Sequence, residues 1–472
     1  MDWTPGMIAP DKVELLQRFL ASLPESAAVR LAKAVEVDRL NDGKALPHEL
    51  ILEALRPALR HTRQTSRTLT PLRLFCRPFE DLLLVEARPE KQKGRIHRKS
   101  IAPIWRWLTR TLMPEAAAAY IACAKSAVLG FHLDNALACA GEFWPVASAA
   151  ILEVLKDDAG AKAARKELES DTALADAREM ANVLAVGPEI VEVQTVLPKA
   201  TASLDDNTLW ALRAIYDRIV EKAPDAAPYV AVIAMQRLEH PWQALKLPLF
   251  VSRTTQDTLI SSTDMGLVGE AIFCEMEAHL AAIRTTRQPD FDAEMLCRHV
   301  ASFAEYSKGM VKEVEMRRDG RWGQRLLKAR SAVSESMDGF MERAPREILA
   351  ALPTQRASYS GGPRAPELSR APDPEKQKRA MHYAHLIVGT KPYAQAASFG
   401  ATLKDTCDEL VGALGKYNDE LLREMRAAEG DRREHALAYF EIAAELTTLL
   451  LSEEEGELLR RRGRAATTPA AA

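Results

Sequence analysis

The chain has 472 residues, 47% of them hydrophobic, and its 63 basic and 66 acidic side chains leave a formal charge of −3. Wholesale disorder is excluded by that apolar content, and the length allows two to four domains. Gly is sparse at 22 residues and β-branched runs of alternating polarity are almost absent, so helix is favoured in nearly every window and an all-α, multi-domain protein is expected.

The N-terminal part reads as short helices punctuated by Pro, at about 11–22, 24–37 and 47–60, the first opened by Pro10 and Asp11 in helix-start positions. PLRLFCRPFEDLLL and the basic stretch RPEKQKGRIHRKSIAPIWRWLTR (88–110) follow, and then two Ala-rich apolar helices near 115–130 and 133–156. These elements make an N-terminal helical domain, 1–160. Its segment 56–110 holds fourteen basic residues against Glu80, Asp81, Glu86 and Glu90, a surplus of ten that leaves the remainder of the chain at −13. Separation of sign on this scale puts a positive patch on an acidic body. Pro89 and Gly94 break any helix through the densest part, so 88–99 reads as an exposed loop. Ser100 is then expected to cap a helix that buries Ile101, Ile104, Trp105, Leu108 and Leu112 while Arg106, Trp107 and Arg110 face outward. The candidate partner or polyanion site is therefore Arg88, Lys91, Lys93, Arg95, Arg98, Lys99, Arg106, Trp107 and Arg110.

A central helical domain is expected over 161–352. EIVEVQTVLP (189–198) supplies its one plausible strand, and TLWALRAIYDRIVEKA places Leu209, Leu212, Tyr216 and Ile219 on one stripe. Leu296, Val300, Phe303, Met310 and Val314 predict a long helix over 292–317, and Leu326, Val333, Met337 and Phe340 another after Gly320. Residues 353–374 concentrate Pro, Gly, Ser and Arg without apolar period and read as a flexible linker. Beyond it, Leu403, Leu410, Leu414, Tyr417, Leu421 and Met425 form a coiled-coil-like heptad seam, and Ala436, Phe440, Ala443 and Leu446 a returning stripe. A C-terminal helical hairpin or bundle over 375–464 follows, with the seam as a candidate self-association surface and 465–472 as a disordered tail.

No window approaches the ~18 uninterrupted apolar residues of a membrane helix, since 116–124 is stopped by Lys125 and 446–451 by a run of Glu, so no membrane partner is expected. The first twenty residues carry acids early and lack a basic, then apolar, leader. Six cysteines without a CxxC pair fit reduced, buried thiols in a cytoplasmic protein.

Phosphate-cradling loops, HExxH, GxSxG and the Gly-rich dinucleotide fingerprint do not occur. Glu275 with His279, and His382 with His385, stand at helical spacing and suit surface polarity better than a metal. The hydroxyl-rich VSRTTQDTLISST (251–263) suits caps and turns better than a ligand. No catalytic, metal or cofactor set is expected. The reading that remains is a cytoplasmic interaction, regulatory or scaffold protein that docks an acidic partner through its basic N-terminal surface. The alternatives are a nucleic-acid-binding protein using 56–110 and an enzyme whose site is assembled from distant residues.

Overall fold

The computed structural model describes residues 10–23, 25–40, 46–59, 69–84, 91–129, 133–356 and 364–467. Over these residues the chain is all-α: 21 α-helices are joined by short turns, and the strands are two pairs of two or three residues each. It divides into two compact units, Met1–Thr201 with Asp206–Arg237, and Ala202–Asp205 with Leu238–Ala472. The breaks expected near 160 and over 353–374 instead fall within the first and second units respectively.

In the first unit α1 (Pro10–Ala21), α2 (Glu25–Leu40) and α3 (His48–Leu59) pack around Leu20, Ala28, Val35 and Leu55. Next come α4 (Pro71–Cys76), a 3-10 turn (Arg77–Leu82), β1 (Leu83–Leu84), β2 (Ile96–His97), a second 3-10 turn (Arg98–Ser100) and α5 (Ile101–Trp107). A π-helical turn, Leu108–Leu112, leads into α6 (Pro114–Leu129), α7 (Leu133–Val154), α8 (Asp158–Leu168) and α9 (Asp171–Leu184). The unit closes with α10 (Gly187–Val196), α11 (Asp206–Lys222) and α12 (Pro228–Arg237). Phe75, Phe79, Trp144, Val183, Ile190 and Ile233 are buried at its centre.

Two expectations are corrected in this unit. The segment read as a strand is α10, because Ile190, Val193 and Leu197 recur at helical spacing toward the core and Gly187 and Pro188 start a helix there. Cys123 and Cys139 are joined in a disulfide between α6 and α7, whereas Cys76, Cys274, Cys297 and Cys407 are free thiols. One helix, Asp134–Val154, is long and apolar enough to cross a membrane by length and composition. It packs here against α4, α6 and α9.

A polar network ties the turn, α10 and α12 together. Arg237 Nη1 meets both carboxylate oxygens of Asp81 at 3.1 and 2.9 Å, its Nη2 donates to the Gln194 carbonyl at 3.0 Å, and its Nε donates to the Leu197 carbonyl. Gln194 Nε2 in turn donates to Asp81 and to the Arg77 carbonyl, each at 3.0 Å. The pair is satisfied by hydrogen bonds on several sides, the condition under which a buried charge is tolerated.

The second unit comprises α13 (Lys246–Ser252), α14 (Asp257–Ser261), α15 (Leu267–Thr285), α16 (Ala293–Glu313) and α17 (Arg321–Leu349). The strands β3 (Thr354–Arg356) and β4 (Arg364–Pro366) are followed by α18 (Pro374–Thr390), α19 (Gly400–Ala427), α20 (Asp431–Leu450) and α21 (Glu453–Thr467). The helices expected at 292–317 and after Gly320 are α16 and α17, with Leu296, Val300, Phe303, Met310, Leu326, Val333, Met337 and Phe340 buried. Met295, by contrast, is 49% exposed.

The seam of α19 is filled from within the chain. Leu403, Leu410, Leu414, Tyr417, Leu421 and Met425 are between 0 and 6% exposed, packed against α17, α20 and α21. They are therefore not a free self-association surface. Beside α17, α21 completes the packing; its charged sequence hides a thin apolar edge, and its Gly463 lies so close to Phe440 that an added Cβ would stand 2.2 Å from its ring. The segment read as a linker is only partly irregular: β3 and β4 pair antiparallel, Leu368 is fully buried, and α17 and α18 pack on each other across it. Residues 357–363, and residues 468–472 of the expected tail, lie outside the described residues.

Close approach of α15 to α17 depends on Gly269, where a Cβ would stand 2.1 Å from Trp322 Cζ2, and Trp322 is fully buried. Gly269→Ala is expected to lower the unfolding free energy by about 1–3 kcal/mol through overpacking, read as a fall in urea midpoint at unchanged slope.

Candidate partner-docking site

The basic stretch is clamped to α9 rather than loose. Asp176 and Glu179 stand three residues apart on one face of α9, and both are buried. Lys91 Nζ lies 2.7 Å from Glu179 Oε2 and 3.0 Å from Asp176 Oδ1, and it also donates to the Arg95 carbonyl. The Gly94 N–H donates to Glu179 at 3.0 Å, the His97 N–H to Asp176 at 3.1 Å and the Ser100 hydroxyl to Asp176 at 2.7 Å. Burial pushes the Glu179 carboxyl above its ordinary range, against the opposing pull of Lys91 and the Gly94 amide. Gly94 supplies the left-handed backbone, φ 81°, that turns the chain so that β2 can pair in parallel with β1.

This clamp sorts the expected site residues. Lys91 and Arg95 are turned inward, Arg95 being only 7% exposed, so the exposed loop foreseen for 88–99 is a docked turn over its described part. Arg88 lies outside the described residues. Ser100 is not a helix cap, because its hydroxyl is diverted to Asp176 and its own backbone is already helical. Trp107 is 5% exposed and belongs to the core with Ile104 and Leu108, whereas Trp105 is half-buried against Phe75, 5.0 Å between centroids. The stretch from 101 to 112 is covered on two sides, and both tryptophans are used as filling.

Five residues remain outward: Lys93, Arg98, Lys99, Arg106 and Arg110. None of them makes an ion pair among the described residues. Lys99 lies in the 3-10 turn before α5, Arg106 on α5 and Arg110 in the π-helical turn after it, and all three are exposed, as is Ala102.

His97, Ser100 and Asp176 make a clamp and not a hydrolytic relay. Ser100 donates to the carboxylate, not to the imidazole; His97 Nδ1 also meets Asp176, at 3.2 Å; and His97 Nε2 is buried without a hydrogen-bond partner. The Cys76 thiol is pushed up to about 12, chiefly by burial, which keeps it protonated at neutral pH.

Elsewhere, His279 lies on α15 facing α16. Its Nδ1 meets His299 Nδ1 at 3.1 Å across α15 and α16, and among the described residues no group of three His, Cys, Asp or Glu side chains is placed to hold a metal. The hydroxyls of 251–263 serve the backbone: Ser252, Ser262 and Thr263 donate to the carbonyls of Pro248, Leu259 and Ile260. His382 and His385 share a cleft of about 830 Å³ with Cys297, Asp290 and Phe291, a grouping that helical spacing alone did not reveal. No protein-family model, curated protein or solved structure matches this chain.

Proposed function

We propose that the chain is an interaction protein, with a cytoplasmic scaffold or regulatory role, whose first unit docks an acidic protein surface on the face formed by Lys93, Arg98, Lys99, Arg106 and Arg110. The observation that carries this reading is that these five cations are exposed and unpaired on a backbone pinned to α9 by Asp176 and Glu179. Cations fixed in place lose little conformational freedom on binding, and complementary charge speeds and orients encounter. An acidic protein is favoured over single-stranded nucleic acid because Trp107, expected to face outward beside Arg106, is in the core and offers no face on which a base could stack. The four cysteines outside the disulfide suit a reducing compartment, whereas the Cys123–Cys139 disulfide weighs against one.

The test compares the full chain with a variant carrying Arg98→Ser, Lys99→Ser, Arg106→Ser and Arg110→Ser, titrated against a fluorescent Glu-rich helical peptide and against duplex and single-stranded oligonucleotides. Exposed ion pairs contribute about 0.2–1 kcal/mol each, so losing four should cost about 2 kcal/mol, roughly thirtyfold in affinity for the peptide. Preference of the wild-type chain for duplex DNA, with a log–log salt slope near −3.6 from about four neutralised phosphates, transfers the site to nucleic acid.

A further inference from the structure

The cleft between the start of α16 and the outward face of α18 carries a second site. Lys378, His382 and His385 stand at i, i+4 and i+7 on α18, so they share one face of the helix, with Arg379 beside them. All four line the cleft, whose volume of about 830 Å³ falls within the ~300–1,000 Å³ usual for small-molecule sites. Lys378, His382 and His385 make no ion pair or side-chain hydrogen bond among the described residues, and Arg379 meets Glu347 only at 3.9 Å.

The rest of the lining is acidic and apolar. Asp292 is committed to capping α16, accepting the Met295 N–H at 2.9 Å, and Glu294 lies 3.8 Å from Arg298. Asp290 and Glu375 have no such partner among the described residues. The Phe291 ring packs edge-on to His382, with centroids 6.3 Å apart. Gly389 lets α18 approach Cys297 closely, since a Cβ there would stand 2.6 Å from the sulfur. Burial pushes the Cys297 thiol up to about 11, so it stays protonated at neutral pH.

Cationic donors and uncommitted carboxylates in one cleft call for a ligand with both an anionic head and hydrogen-bond donors. We propose that the cleft binds a small phosphorylated polyol. Its phosphoryl group sits on Lys378, Arg379, His382 and His385, and its hydroxyls donate to Asp290 and Glu375. Asp290, Glu375, Lys378 and His385 are exposed to solvent, so the ligand gains by offering charge-assisted hydrogen bonds to both signs at once, which neither a bare anion nor a neutral polyol does.

Isothermal titration of the full chain with glucose 6-phosphate, glycerol 3-phosphate and inositol 1-phosphate tests this, with glucose and inorganic phosphate as controls. At least one phosphorylated polyol should bind below about 1 mM, at least tenfold more tightly than either control. Lys378→Ala and the double variant His382→Ala/His385→Ala should each weaken it at least tenfold with helical content intact. Asp290→Asn should weaken the phosphorylated polyol severalfold and leave phosphate unchanged. Vesicles containing a phosphoinositide separate a lipid source from a soluble one: tighter binding to them than to inositol 1-phosphate assigns the same chemistry to a headgroup. Absence of binding by all three phosphorylated polyols and the vesicles, or wild-type affinity in the His382/His385 variant, overturns the proposal.

Discussion

Asp81→Ala is expected to lower the stability of the first unit by about 3–5 kcal/mol, because it leaves the Arg237 guanidinium, 5% exposed, without its carboxylate. The loss should not stop at one contact. Asp81 also accepts from Gln194 and lies 3.6 Å from Lys199, so the 3-10 turn, α10 and the end of α12 lose a common anchor. Hydrogen exchange followed by mass spectrometry is suited to a chain of two units, since it localises the effect: protection should fall in 77–84, 187–197 and 228–237. The double variant Asp81→Leu/Arg237→Met should recover part of the loss, because it removes both charges and not one. Unchanged protection in Asp81→Ala would show that the pair contributes nothing to holding these segments together.

Leu414→Asp should be equally severe in the second unit. Leu414 is fully buried, so the substitution removes a large apolar side chain and places a carboxylate in its cavity, for a cost of about 4 kcal/mol or more. The expected result is loss of helical signal with increased exchange in α19, α20 and α21, at any protein concentration. A variant that keeps its fold and merely changes from oligomer to monomer in sedimentation would instead place Leu414 at an interface between copies.

The helices announced themselves wherever one face alone is buried. Leu326, Val333, Met337 and Phe340 of α17, and Leu403 to Met425 of α19, step by three, four or seven because a single stripe meets the core, and this periodicity is visible without knowing the partner. Where β-branched residues fill the stripe the signal misleads. The β-branched run of α10 resembles a strand in composition, which masks the helical spacing of Ile190, Val193 and Leu197 and the helix start at Gly187 and Pro188. Composition also overstated the disorder of 353–374, since the pairing of β3 with β4 and the burial of Leu368 depend on residues elsewhere: His435, for example, meets the Leu368 carbonyl at 3.0 Å.

The docking site was legible as a charge surplus but not as a surface. Which cations turn inward is decided by Asp176 and Glu179, 76 to 88 residues downstream of the groups they bind. Nothing local to Lys91 or Trp107 distinguishes them from Lys99 or Arg106, so the nine candidates could be separated only by folding. The same distance explains the cleft. His382 and His385 advertise a shared face, but Cys297 reaches the His385 carbonyl from 88 residues away in sequence.

The salt dependence of acidic-peptide binding tests the docking claim most directly. For the wild-type chain, affinity for the Glu-rich helical peptide should fall steadily as ionic strength rises from about 50 to 300 mM, as exposed charges become screened. The variant with serine at 98, 99, 106 and 110 should bind roughly thirtyfold more weakly at the lowest salt and show a nearly flat response. Equal affinity and equal salt slope in the two proteins, with the variant's helical content intact, would contradict the assignment of this face as the docking site.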